Sequence, residues 1–61
     1  MTEKFFRKII REGIVDTKKY RYTTREKVVD GRQILQVIRI PLEKLNTTAA
    51  FDEWEVVDER G

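Results

Sequence analysis

Arginine and lysine side chains supply the most conspicuous candidate chemistry of this sequence, together with two nearby tyrosines. The candidate contact residues lie within one twenty-residue stretch, and they are Arg21, Arg25, Lys27, Arg32 and Arg39. Arginine pairs bidentately with phosphate or guanine, and a two-stranded β-ribbon fits the major groove of DNA. Tyr20 and Tyr22 offer ring faces on which unpaired bases stack. These residues predict a surface that binds DNA or RNA.

The same cations have a second interpretation as solvated surface. Lysine and arginine on the water side of a sheet keep small proteins soluble and discourage edge pairing. Residues 1–45 contain 12 Lys/Arg and 6 Asp/Glu, whereas residues 46–61 contain 1 and 5. Cross-strand pairs between the basic body and the acidic end would neutralise part of the positive surface. The charge pattern leaves both interpretations open.

Catalysis is not expected, because the usual reactive groups are missing. The sequence contains no serine, cysteine or histidine, and a nucleophile activated by a base normally draws on these residues. Its 3 glycines are too dispersed for a phosphate-binding loop. Acidic runs of this kind are typically solvated, and here they comprise Asp52, Glu53, Glu55, Asp58 and Glu59. We therefore expect a non-enzymatic binding module with no catalytic residue, cofactor or metal.

A helix is predicted at the N-terminus, over residues 2–12. One arc of that helix is apolar, formed by Phe5, Phe6, Ile9 and Ile10. The opposite arc is basic, formed by Lys4, Arg7, Lys8 and Arg11. Thr2 is a suitable N-cap, and Gly13 stands where a left-handed residue ends helices. The alternative is a strand over residues 5–15, which belongs to an all-β meander or small barrel.

A β-hairpin over residues 20–40 must position the basic residues. Asp30-Gly31 is a strong turn signal between two runs of strand-forming residues. We predict a three-residue turn that pairs Val28 with Ile34, because a two-residue turn pairs Val28 with Gln33 and mixes the polarity of both faces. The predicted apolar face comprises Tyr22, Thr24, Val28, Ile34, Ile38 and Ile40. The predicted opposite face comprises Arg21, Thr23, Arg25, Lys27, Leu35, Val37 and Arg39.

The remaining segments complete the predicted fold. Residues 42–45 suit one helical turn after Pro41, and residues 46–48 suit a loop. Residues 52–58 alternate in polarity and predict a third strand with Trp54 turned inward. The expected fold class is α+β, with one helix packed on a three-stranded antiparallel sheet in a single domain over residues 1–61. The predicted core contains Phe5, Phe6, Ile9, Ile10, Ile34, Ile38, Ile40 and Trp54.

A protein partner is the alternative to nucleic acid. On the predicted register Leu35 and Val37 lie on the basic face and form an apolar patch with a charged rim, near Trp54 or Phe51. Such a patch is typical of an adaptor, an inhibitor or an antitoxin-like regulator. It also suits the seam of a homodimer.

The size of the chain favours self-association. A domain of 61 residues has a thin stability margin, and the absence of cysteine removes disulfides as a source of help. We therefore hypothesise a homodimer. No apolar stretch approaches a secretory signal or a membrane span, so a cytoplasmic location with no membrane partner is expected.

Overall fold

One helix packs against an antiparallel sheet, as the α+β prediction requires. The computed structural model describes residues 1–45 and 54–61, so the predicted loop at 46–48 and the side chain of Phe51 lie outside the described residues. The elements are α1 (Glu3–Glu12), β1 (Ile14–Asp16), β2 (Tyr20–Val29), β3 (Arg32–Pro41), a short 3₁₀ turn (Leu42–Lys44) and β4 (Glu55–Arg60). The predicted helical turn after Pro41 is confirmed.

The boundaries of α1 follow from its caps. The side chain of Thr2 accepts a hydrogen bond from the N–H of Phe5 at 3.2 Å. Gly13 has a φ of 82°, and its N–H donates to the carbonyl of Ile9 at 2.7 Å. Both caps agree with the predicted helix, so the alternative strand over residues 5–15 is not needed. No helix within residues 1–45 or 54–61 is long and apolar enough to cross a membrane.

The register of the hairpin differs from the prediction. Val28 faces Gln33 and Val29 faces Arg32, so the turn contains only Asp30 and Gly31. These two residues have φ angles of 52° and 78°, as a type I′ turn requires. That turn wins because its twist matches the twist of the flanking strands, and Asp tolerates the left-handed region that it demands.

The sheet has the order β1-β2-β3-β4 and contains one strand more than predicted. The additional strand is β1, which returns from the helix and pairs with residues 21–23 of β2. β4 pairs with residues 35–39 of β3, with an irregularity that leaves Val57 between the partners of Val37 and Ile38. The predicted third strand is therefore present, although Asp52 and Glu53 lie outside the described residues.

The core is centred on Ile9 and Val37, which are both 0% exposed, and on Val15. The half-buried side chains packed around it are Phe5, Phe6, Tyr22 and Val57. The predicted core is thus confirmed for the helix residues Phe5, Phe6 and Ile9. It is wrong for Ile10, which is 46% exposed.

The revised register also changes what lies on each face of the sheet. Val37 turns towards the helix and is fully buried, so the predicted exposed patch of Leu35 and Val37 does not form. Ile34, Ile38 and Ile40 occupy the face away from the helix, because side chains alternate along a strand. Ile38 is buried there at 9% exposure, outside the cluster around Ile9.

Candidate nucleic-acid interface

The five predicted contact residues divide between the two faces of the sheet. We call the face that packs on α1 the helix face, and the face that carries Arg21 and Ile38 the distal face. Arg21, Arg25, Lys27 and Arg32 lie on the distal face, whereas Arg39 pairs with Tyr22 and lies on the helix face. The prediction of one continuous surface is therefore wrong for Arg39, because the two-residue turn shifts β3 by one position.

Arg39 is engaged in contacts inside the fold. Its Nε donates to Oε1 of Glu55 at 2.5 Å, and its guanidinium lies 4.4 Å from the ring centroid of Tyr20. Hydrogen bonds to Glu55 first, and then to Tyr22, raise the pKa of Arg39 above its usual value. This side chain joins β2, β3 and β4, and its charge is neutralised by β4.

Arg21 is also paired with a carboxylate. Its Nε and Nη2 donate to the two carboxylate oxygens of Asp16 at 2.7 and 3.0 Å. This bidentate contact lowers the pKa of Asp16 and raises that of Arg21. The pair joins β1 to β2, so the positive charge of Arg21 is largely compensated.

Arg25 belongs to a row of polar side chains that crosses three strands. Its Nε donates to Oε1 of Gln36 at 2.7 Å, and Nε2 of Gln36 donates to Oε2 of Glu59 at 2.7 Å. The guanidinium also lies 4.0 Å from the centre of the Trp54 ring. Arg25 is therefore held in one orientation beside an indole, and the amide of Gln36 stands between it and the carboxylate of Glu59.

The pairing of Arg25 with Trp54 is not predicted by the sequence. The polarity pattern turns Trp54 into the core, yet the residue is half-buried and lies beside Arg25. Alternation over residues 52–58 indicates a strand, but it carries no information about which cation the indole contacts. Only the tertiary structure brings these two residues together.

Lys27 and Arg32 lie near the tip of the hairpin, and both are exposed. Within residues 1–45 and 54–61, neither side chain forms an ion pair. β1 reaches only residue 23 of β2, and β4 reaches only residue 35 of β3. Among residues 1–45 and 54–61, no third strand lies beside residues 24–34, and we call this two-stranded ribbon the hairpin arm.

Two further groups of cations lie outside the arm. The exposed side of α1 carries Lys4, Arg7, Lys8 and Arg11. At the other end of the hairpin is a cleft of about 410 Å³, lined by Lys18, Lys19, Tyr20, Pro41, Leu42 and Glu43. The described part of the chain contains no cluster of acidic, histidine or cysteine side chains that fits a metal ion.

Comparison with known proteins adds no identification. No protein-family model matches the chain, and no significant match is found among curated proteins or solved structures.

Proposed function

We propose that this protein is a small nucleic-acid-binding module whose contact surface is the distal face of the hairpin arm. A single observation carries the proposal: Arg25, Lys27 and Arg32 share one face of a projecting ribbon, and the last two form no ion pair within the described chain. Phosphate contacts of this kind supply most of the affinity for nucleic acid.

The dimensions of the arm suit a groove. The six residues from Thr24 to Val29 extend about 20 Å at the usual rise of a strand. A two-stranded ribbon fits a major groove that is about 12 Å wide. Every residue from 25 to 33 is exposed, so the end of the arm is accessible to a groove within the described part of the chain.

The arrangement around Arg25 reduces the entropic cost of binding. Gln36 and Trp54 already hold its guanidinium, so less side-chain freedom is lost when it meets a phosphate. Arg21 and Arg39 contribute less, because each is paired with a carboxylate. The proposed contact set is therefore Arg25, Lys27 and Arg32.

The test is a binding titration with labelled single- and double-stranded DNA and RNA at two salt concentrations. Lys27→Ala with Arg32→Ala removes two charges from the arm, and Lys18→Ala with Lys19→Ala removes two from the other end of the hairpin. We expect the arm variant to bind roughly tenfold more weakly, with a salt slope smaller by about 2. The control variant should retain most of the affinity.

Two results would contradict the proposal. One is the absence of binding by the unmodified protein at low salt, where even a weak cationic surface retains phosphate. The other is an equal loss in both double variants, which would mean that only net charge matters.

A further inference from the structure

Within the described residues, the outer edge of β2 has a neighbouring strand along only part of its length. β2 extends from Tyr20 to Val29, but β1 pairs only with residues 21–23. Among residues 1–45 and 54–61, no strand lies beside the segment Arg25–Val29, whose outer side we call the free edge. An exposed edge of this kind is a template for a further strand.

The turn decides which backbone groups point out of this edge. In a two-residue hairpin the residues that flank the turn exchange hydrogen bonds, so Val29 points its N–H and C=O at Arg32. Along an antiparallel strand the direction alternates from one residue to the next. Lys27 and Arg25 therefore also point towards β3, whereas Glu26 and Val28 point outwards.

Hydrogen bonds at the other end of the hairpin follow the same alternation. The N–H of Leu42 donates to the carbonyl of Lys19 at 2.8 Å, on the β3 side. The N–H of Thr17 donates to the carbonyl of Tyr20 at 2.9 Å, on the β1 side. Odd-numbered residues of β2 thus face β3, and even-numbered residues face outwards.

The charges on the free edge oppose pairing with a second copy of the chain. In an antiparallel pair of two copies, residues that point their backbone groups outwards must face each other. A two-fold symmetric pair is therefore centred on one residue, which faces the same residue of the second copy. Centring the pair on Glu26 opposes two glutamates and also places Arg25 opposite Lys27. Centring it on Lys27 opposes two lysines, and centring it on Val28 places Glu26 opposite Asp30. Like charges directly opposite destabilise a sheet.

We propose that the free edge binds an extended peptide strand of a protein partner that carries acidic residues at alternate positions. Arg25 and Lys27 lie on the distal face, two residues apart, and they favour carboxylates opposite them. Glu26 lies between them on the helix face and favours a basic residue. Val28 is 66% exposed and Val29 is 37% exposed, so both favour β-branched neighbours.

This proposal does not depend on nucleic-acid binding. The side chains of Arg25 and Lys27 take part in both proposals, but the main contacts of the peptide are the backbone groups of Glu26 and Val28. Glu26→Pro should therefore lose peptide binding and retain nucleic-acid binding, so failure of one proposal is distinguishable from failure of the other.

The test compares two blocked peptides with the ¹⁵N-labelled protein. The peptide TVVEKETT places glutamates opposite Lys27 and Arg25 in an antiparallel pairing, and its control TVVKEKTT reverses the charges. We expect the first to bind about tenfold more tightly, because its three opposite-charge pairs favour the pairing and the three like-charge pairs of the control oppose it. Hydrogen exchange should slow at the amides of Glu26 and Val28. The amides of Arg25 and Lys27 are protected by β3 already.

A substitution tests the backbone contact directly. Glu26→Pro removes an outward N–H and leaves the β3 ladder intact, a position where edge strands accept proline. We expect this variant to lose binding of TVVEKETT, whereas Glu26→Thr should retain it. Equal binding of both peptides, protection confined to other amides, or undiminished binding by a folded Glu26→Pro variant would overturn the proposal. The peptide comparison decides the matter if that variant does not fold.

Discussion

Arg25 and Gln36 face each other across β2 and β3, and the Nε of Arg25 donates to Oε1 of Gln36 at 2.7 Å. Nε2 of Gln36 donates in turn to Glu59 on β4, and Gln36 is only 4% exposed. A buried amide that satisfies both neighbours fixes the alignment of three strands. The same amide orients the guanidinium that we place in the contact surface, so stability and binding meet at this residue.

Gln36→Ala should destabilise the fold and weaken nucleic-acid binding together. Loss of the amide removes two hydrogen bonds to charged side chains, which costs about 1–3 kcal/mol. Gln33→Ala is the matched control, because Gln33 is exposed on the same strand. Urea denaturation and the binding titration measure the two effects. The expected loss of stability with unchanged affinity would contradict the role of Arg25 in the contact surface.

Ile9→Ala and Ile10→Ala should differ sharply although the residues are adjacent. Ile9 is 0% exposed in the core, and truncating a buried isoleucine costs about 2–5 kcal/mol. Ile10 is 46% exposed, so its truncation should cost about 0.5 kcal/mol or less. Denaturation midpoints of the two variants provide the measurement. Similar midpoints would contradict the placement of the core.

Gly31→Ala should destabilise the hairpin through the backbone alone. The φ of Gly31 is 78°, and an added Cβ would meet no atom within 4 Å. The left-handed backbone costs a residue with a Cβ about 1–2 kcal/mol. Asp30→Asn is the control, since asparagine is favoured at the first position of this turn. A smaller free energy of unfolding for the Asp30→Asn variant than for the Gly31→Ala variant would contradict the type I′ turn.

Stability should decline in acid because of two ion pairs. Hydrogen bonds from Arg60 and from Arg21 hold the pKa of Glu3 and of Asp16 below their usual values of 4.5 and 3.8. A carboxyl group whose pKa is lowered in the folded protein stabilises the fold at any pH above its usual pKa. That stabilisation is lost as the pH falls through the pKa of the folded state. The free energy of unfolding should therefore be smaller at pH 3 than at pH 7.

Asp16→Asn should reduce this dependence on pH, and Arg21→Gln should reduce it to a similar extent. Because the two substitutions break the same contact, their combination should add little to either one. Additive effects in this double-mutant cycle, measured by denaturation at both pH values, would show that Asp16 and Arg21 act separately. Both side chains are partly exposed, so high salt should weaken their coupling.

The local signals in the sequence identified the helix, the hairpin turn and their limits, but they did not predict β1. Thr2 and Gly13 cap the helix where the pattern indicated, and Asp30-Gly31 forms the turn. These features depend on the conformations that a few neighbouring residues permit, so they can be predicted without the rest of the chain. The α+β fold class and the apolar arc around Ile9 followed from them.

Only the tertiary structure decided which side of the sheet each residue of β3 occupies. Alternation alone placed Ile34, Ile38 and Ile40 on the face beneath the helix. The turn instead placed Val37 there, left Ile38 buried on the distal face and moved Arg39 away from Arg25. The partners of the arginines could not be predicted either. Asp16 pairs with Arg21, Glu55 pairs with Arg39 and Trp54 contacts Arg25 only because the fold brings the strands together. The sequence near a residue determines which backbone conformations that residue favours. The face of the sheet that its side chain occupies, and the charge it pairs with, depend on the register, which is a property of two strands together.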